Sequence, residues 1–566
     1  STHWYMLFAD KTGRWHLHTR QGAQWSRRLA SEKAVRLDTW HRARVVLTRT
    51  SIAGALRERD SGEVIWEFPE TPVDDVGEET TFALCDEGHE PGVGRTDWGP
   101  VTIRTDDPAL RKRLDEIASQ RERERLAREQ RQEASERLHR EGIALLPMPQ
   151  RVEFGKGRLA LGKGPGVAAP GTLKGAAASV CAVLRERLGL DARPARASGG
   201  ITLAPLPKGV LSPEQRPQGY RLTVTAKGIR LEAATSEGFF YGAQTLAQLR
   251  RADGTLPAVT ITDWPAIPNR LVMVAVSQGG FQVIDLDYWK RMIRELAAVK
   301  INWIMPYFEG GTCYYEKYPF LGVKGRDGFT GDKARILSAY ARQHFVRLVP
   351  QQESLGHSAN VLCHEELKDL RESGGVFCSS RPQVFAFLGD LYDELVAAYP
   401  DSEYVHVGGD EFGHGFAKCP ECKARAEVIG KPALYAEHLT RLQEMLRSRN
   451  RKMMIWWHEE GFTEQAADKL SKEIVVFDWH YGNQASYPSL ARLQKLGFRQ
   501  TWATPAVTRY YDGRNDFDNT FGNIGGFLKA GARAGVPGEC TCTWVHGIWG
   551  GRNLFELNYY ALLYSG

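Results

Sequence analysis

Asp410 and Glu411 are adjacent carboxylates, preceded by Gly408-Gly409 and by the short apolar run Tyr404-Val405-His406-Val407. A strand that ends in two glycines and two acids carries its carboxylates at the C-terminal tip, where the bare backbone lets a ligand come close. In a (β/α)₈ barrel that tip is where chemistry sits. The plain alternative is a strand followed by a solvated acidic turn. What the other strands bring to the same end decides between the two.

The tips of the other apolar runs carry Gln278; Tyr307 and Glu309; Glu353 and His357; Trp457 and Glu459; Trp479 and Tyr481; Tyr510 and Asp512; Trp544 and His546. These are acids, aromatics and histidines, with few cations. Aromatic walls and carboxylates suit sugars, whose C–H faces stack on indole and whose hydroxyls bond to acids. The poverty of Lys and Arg argues against a phosphate substrate. No Ser-His-Asp elbow is present. Each tryptophan alone reads as core, but several aromatics at successive tips shift that balance.

Glycosidases commonly set two carboxylates on opposite sides of the scissile bond. Sequence neighbours do not straddle it easily. They suit another division of labour, in which one acid protonates the leaving oxygen and the other holds a substrate group that is itself the nucleophile. Two close carboxylates also resist double ionisation, which helps keep one of them protonated.

The elements that must position these residues are regular from Trp264 onward. Apolar runs at 270–274, 301–305, 345–349, 404–407, 452–456, 474–478, 499–502 and 541–544 alternate with helical patterns, clearest at 287–298, 382–398 and 435–449. Eight strands in strict alternation with helices predict a (β/α)₈ TIM barrel over 264–566. An open doubly wound sheet is the runner-up, and the lack of a Gly-rich phosphate loop counts against it. Residues 143–263 mix strand-like pieces with helices near 173–188 and 236–250, an α+β accessory domain. Residues 105–142 are charged and free of Pro beyond their start, with Glu–Arg pairs at helical spacing; they read as a solvated helical linker, or as a coiled coil that would make a homodimer. Residues 1–104 read as a β-rich N-terminal domain of unassigned role, whose Trp15, Trp25, Trp40 and Trp66 are expected as core or cover, with stacking on sugar rings as the alternative.

Composition narrows the partners. The chain has 566 residues and a net charge of only +6 with its basic residues dispersed, so nucleic acid is not implied. No apolar run is long enough to span a membrane. The chain starts at Ser1 without a leader, as it would after signal cleavage, and a secreted or periplasmic location is favoured over a cytoplasmic one. Cys419-Pro420-Glu421-Cys422 is a single pair, with Cys378 or a histidine as completions. A structural zinc site usually needs four ligands at recognisable spacing, so a disulfide or plain thiols are favoured and neither metal nor cofactor is assigned.

His406-Val407-Gly408-Gly409-Asp410-Glu411 resembles the His-x-Gly-Gly-Asp-Glu signature of glycoside hydrolase family 20, the β-N-acetylhexosaminidases. Leu146-Pro147-Met148-Pro149-Gln150, Gly219-Tyr220-Arg221-Leu222, Gly238-Phe239-Phe240-Tyr241-Gly242-Ala243-Gln244-Thr245-Leu246 and Ile261-Thr262-Asp263-Trp264-Pro265 are similar to that family's accessory domain and its join to the barrel. The resemblance covers 145–566 and implies an exo-acting, retaining enzyme that removes terminal β-linked GlcNAc or GalNAc from a glycan. In it the substrate's 2-acetamido oxygen attacks the anomeric carbon to form an oxazolinium ion. By this resemblance Glu411 is the general acid and then base, Asp410 orients the acetamido nitrogen, His357 supports the acid, and Tyr510, with Tyr481 as rival, bonds the acetamido oxygen. Trp457, Trp479 and Trp544 are its ring-stacking walls, and His406 a further substrate contact. The family's Asp-x-x-Arg after the first barrel strand is replaced by Ala275-Val276-Ser277-Gln278, Glu309 stands for an aspartate, and His546 stands where an acid is usual. Gln and His bond hydroxyls without the same charge or fork geometry. A GalNAc or modified-hexosamine preference is therefore expected, with a hexosamine-binding protein that has lost hydrolysis as the alternative.

Overall fold

The protein is represented by a computed structural model. It describes the backbone of the strands within 3–84, then residues 108–565 except 197–198, 277–284, 309–312, 323–327, 458–461, 508–515 and 545–554. Side chains are described from Asp115 onward within the same bounds, apart from 462–463 and 555–557. Two compact units are present, Ser1–Ala118 and Ser119–Gly566.

In the first unit, Gln24–Ala30, Trp15–Gln21, His3–Ala9 and Thr80–Leu84 form one sheet, and His41–Leu47, Ser51–Glu58 and Val64–Pro72 form another. The tryptophans named above lie in this unit, where side chains are outside the described residues. A helix, Pro108–Arg140, follows. Its exposed face carries the anticipated charge ladder: Arg125 pairs with Glu122 at 2.6 Å and Glu129 at 2.7 Å. Its apolar residues Ala134 and Leu138 are buried.

Residues 151–263 form a seven-stranded sheet in the order Arg193–Ala195, Gly166–Ala168, Gly200–Pro205, Gly228–Ala233, Tyr220–Thr225, Thr255–Asp263, Arg151–Ala160. Helices Lys174–Leu188 and Ser236–Gln248 accompany it. The second begins at Thr235, whose hydroxyl accepts the Gly238 N–H at 3.1 Å. This sheet meets the barrel through a buried ion pair. Lys300 Nζ lies 2.6 Å from Asp263 Oδ2, and it also bonds Tyr220 Oη at 3.1 Å. Two of the sequence motifs, Gly219-Tyr220 and Asp263-Trp264, thus meet at one joint.

The barrel strands are β1 (Asn269–Ala275), β2 (Trp303–Tyr307), β3 (Arg347–Leu348), β4 (Tyr404–His406), β5 (Lys452–Trp456), β6 (Val475–Trp479), β7 (Thr501–Thr504) and β8 (Gly538–Thr543). All are parallel, in the ladder β3-β2-β1-β8-β7-β6-β5-β4. A parallel bridge between Gln351 and His406 joins the two ends and closes the ring. The expected (β/α)₈ barrel is therefore present. Alternate residues point inward: Leu271, Met273, Trp303, Met305, Met454, Trp456, Val475, Phe477, Trp502, Cys540 and Cys542 fill the interior. The close pair Cys540 and Cys542 consists of neighbouring inward positions of β8, with sulfurs 3.9 Å apart. Helices pack outside on one apolar stripe, as Trp289, Met292, Ile293 and Leu296 do on Leu286–Ala298. Among the described residues no helix is long and apolar enough to cross a membrane.

Candidate active site

Beyond β4 the chain makes two turns at positive φ, 75° at Gly408 and 103° at Gly409. Gly408 is required by space as well as by conformation: a Cβ there would fall 1.7 Å from Glu353 Oε2. Glu353 is a buried carboxylate that accepts from Gln351 Nε2 at 2.8 Å. It lies beneath the turn; the sequence places it at a strand tip with His357 but assigns it no role. His406, expected as a substrate contact, is fully buried at the end of β4. Its Nδ1 accepts the Gly408 N–H at 3.1 Å, and its ring lies against Trp456 and Phe477. Burial drives its pKa down to about 3, so the ring is neutral and props the turn.

Asp410 and Glu411 leave this turn in different directions. Asp410 is buried, while the Glu411 side chain is 51% exposed. His357, reaching over from the loop after β3, sets Nε2 2.9 Å from Glu411 Oε2 and 3.9 Å from Asp410 Oδ2. Neither loop has an ordinary backbone. Glu411 has φ 45° and His357 φ 49°, the left-handed region that side chains with a Cβ rarely adopt. The two loops touch at the backbone, since a Cβ on Gly356 would sit 2.4 Å from the Asp410 carbonyl oxygen. Phe412, stacked on Tyr435 with ring centres 5.2 Å apart, anchors the far side of the loop.

The aromatic tips form a continuous wall. Trp457 and Trp479 meet edge-on at 6.3 Å, and Trp479 donates its Nε1–H to the Trp457 carbonyl at 2.7 Å. Trp479 stacks on Tyr481 at 5.1 Å. Tyr481 meets Trp544 at 6.2 Å, and Trp544 meets Tyr307 at 5.0 Å. Burial raises the Tyr481 phenol well above its ordinary pKa, and the nearby Asp410 charge adds to the rise. That places Tyr481 as a neutral hydroxyl on the Asp410 side of the wall. The structure thus brings together Asp410, Glu411, His357, Trp457, Trp479, Tyr481 and Trp544. Gln278, Glu309, Tyr510 and His546 lie outside the described residues.

The chain was compared with known proteins. Residues 142–264 match the model "Glycosyl hydrolase family 20, domain 2" and residues 282–520 match "Glycosyl hydrolase family 20, catalytic domain". Similar curated proteins include a beta-hexosaminidase of Vibrio furnissii, 28% identical over 46% of this chain and 48% of its own. Another is a beta-hexosaminidase of Akkermansia muciniphila, 28% identical over 52% of this chain and 64% of its own. The chain spans about half the length of the first of these, 48%, and less than two thirds of the second. Among solved structures, the β-N-acetylhexosaminidase of Bacteroides fragilis superposes with a TM-score of 0.55 at 20% identity, over 74% of this chain and 90% of that one. The exo β-N-acetylglucosaminidase of Vibrio harveyi does so with a TM-score of 0.59 at 17% identity, over 100% and 94%. At such identities the likeness is one of fold. The two family matches, taken with the barrel and its paired acids, show that the chain belongs to glycoside hydrolase family 20.

Proposed function

We propose that this protein is a glycoside hydrolase that removes terminal β-linked N-acetylhexosamine from glycans with retention, the substrate's own acetamido group acting as nucleophile. The observation that carries the reading is the pairing of His357 with Glu411 at 2.9 Å, with the Asp410 carboxylate held apart and buried beside them. It supports two separate tasks for two adjacent acids.

The Glu411 carboxyl gives its proton to the glycosidic oxygen as the C1–O bond breaks. The acetamido oxygen forms the new bond to C1, closing an oxazolinium ring. Asp410 accepts the acetamido N–H and opposes the positive charge that develops on that ring. In the second half the Glu411 carboxylate takes a proton from water as its oxygen attacks C1, and the acetamido group is restored. His357 holds the Glu411 carboxyl at the edge of the site through both protonation states. Trp457, Trp479 and Trp544 enclose the apolar faces of the sugar, and Tyr481, or Tyr510, donates its O–H to the acetamido oxygen. Gln278, Glu309 and His546 are assigned to the sugar hydroxyls, where the choice between gluco, galacto and modified hexosamines is made.

The test is hydrolysis of aryl β-N-acetylglucosaminide, β-N-acetylgalactosaminide and their 6-sulfated forms. Glu411→Gln should lower kcat by about a thousandfold or more, and Asp410→Asn by about a hundredfold or more. Turnover unchanged in either variant overturns the assignment.

A further inference from the structure

Cys378, Cys419 and Cys422 come together from two separate loops. Cys378 Sγ lies 3.5 Å from both Cys419 Sγ and Cys422 Sγ, and all three sulfurs fall within 4.8 Å of one another. All three residues are buried. A tetrahedral zinc with bonds of about 2.3 Å sets its sulfurs ~3.8 Å apart, so the trio already has close to the spacing of a ligand face. Three thiols cannot all be satisfied by one disulfide.

The surroundings favour an ion at this point. Cys419 caps the helix Pro420–Ile429, and the Cys422 N–H donates to the Cys419 sulfur at 3.4 Å. A metal-bound sulfur keeps such an amide donor, so this hydrogen bond is compatible with a ligand role. Ser380 Oγ lies 3.1 Å from the Cys422 sulfur. On the Cys422 side is Glu372. Its Oε1 accepts the Lys418 N–H at 2.7 Å. Its Oε2 is buried, and the Cys422 side chain and the Cys419 and Ala417 amides are the donors that face the carboxylate. A part-buried carboxylate is costly to keep charged, and a cation nearby offsets that cost.

We infer that Cys378, Cys419 and Cys422 bind a thiophilic divalent cation, zinc by the chemistry of the donors, with Glu372 as a neighbouring carboxylate outside the ligand set. The ion is structural, since its three sulfur donors are all buried. Its place in the fold gives it a purpose. Cys419 ends the loop that carries Asp410 and Glu411. Cys378 ends the hairpin made by Arg371–Ser373 and Val376–Phe377. That hairpin holds the His357 loop through Phe377 N–H to the Leu355 carbonyl and Ser358 N–H to the Gly375 carbonyl, both 3.0 Å. One ion therefore fastens the two loops that face each other as His357 and Glu411.

The test is the metal content of the whole chain, purified without chelator from zinc-supplemented cells. The expected result is about one zinc per chain, released when a mercurial blocks the thiols. With Co²⁺ in its place, the chain should show a near-ultraviolet thiolate charge-transfer band and strong visible bands of tetrahedral cobalt. Cys378→Ser, Cys419→Ser and Cys422→Ser should each lose the ion, Glu372→Gln should weaken its retention by about ten- to a hundredfold, and Cys363→Ser should keep it. A wild-type chain that carries no zinc and gives no such cobalt spectrum overturns the inference. So does a peptide map that finds two of the three cysteines joined as a disulfide. Both readings use the unmutated protein, so misfolding of a variant does not blunt them.

Discussion

Glu411 and His357 face each other across 2.9 Å, and both adopt a left-handed backbone. Each such residue stores about 1–3 kcal/mol, retained only where the surroundings enforce it. Here the enforcement is visible: Gly356 lies against the Asp410 carbonyl, and Glu353 fills the space under Gly408. Because Asn tolerates this backbone region better than most residues, His357→Asn isolates the imidazole's contribution from that of the loop. Loss of a hydrogen bond to a charged group, about 1.5–3 kcal/mol, should lower kcat by about ten- to a hundredfold with little change in KM. A variant as fast as wild type on an aryl N-acetylhexosaminide would remove His357 from the mechanism. The identity of the acids was legible in Gly408-Gly409-Asp410-Glu411 because two glycines before two carboxylates is a local pattern. Their strained geometry was not, because it is imposed by residues of another loop. His406 shows the limit in the other direction. Its place beside the acids suggested contact with substrate, but an inward position at a strand end put it under the turn.

At the scale of elements, the barrel strands were legible because each is a short apolar run buried on both faces. Their edges were less so. β8 was expected over 541–544 and begins at Gly538. A glycine followed by Glu539 reads as loop, yet the glycine is there because a Cβ would lie 2.3 Å from the Trp502 ring. Glu539 is buried and its pKa is pushed up to about 8 by desolvation, so it sits in the strand as a neutral acid. The joint between accessory sheet and barrel was visible as motifs but not as an ion pair. Lys300 and Asp263 have side chains only 7% and 8% exposed. Removing one partner strands the other's charge, at a cost of about 3–5 kcal/mol. Lys300→Met should therefore lower stability by that amount in urea or thermal melts, and Asp263→Asn added to it should recover part of the loss. Additive losses in the double variant would mean the two residues act separately.

For the whole molecule, the order of elements could be read from changes in rhythm along the chain, from short β-rich segments through a charged helix to alternating strands and helices. Contacts between distant segments could not. Cys378 was one of several candidates to complete the Cys419–Cys422 pair, and nothing local singled it out, because an entire helix, Pro382–Ala398, and β4 lie between. The closure of the barrel was equally hidden. β1 and β8 share six register pairs, Asn269–Gly538 through Val274–Thr543. The ring closes instead on β3 and β4, the shortest strands, through Gln352 N–H to the His406 carbonyl and His406 N–H to the Pro350 carbonyl, both 3.0 Å. Few bonds hold a segment loosely against local opening. The ring should therefore have a zipper whose free end lies directly below the paired acids. In native-state hydrogen exchange the amides of Gln352 and His406 should trade their protons well before those of Val272 and Thr541, and a bound N-acetylhexosamine should slow the first pair far more than the second. A uniform exchange rate around the ring would show the seam to be as firm as the rest. If the zipper is there, sugar binding fastens the barrel at one of its thinnest stitches, and the protein is at its most durable while its ligand is bound.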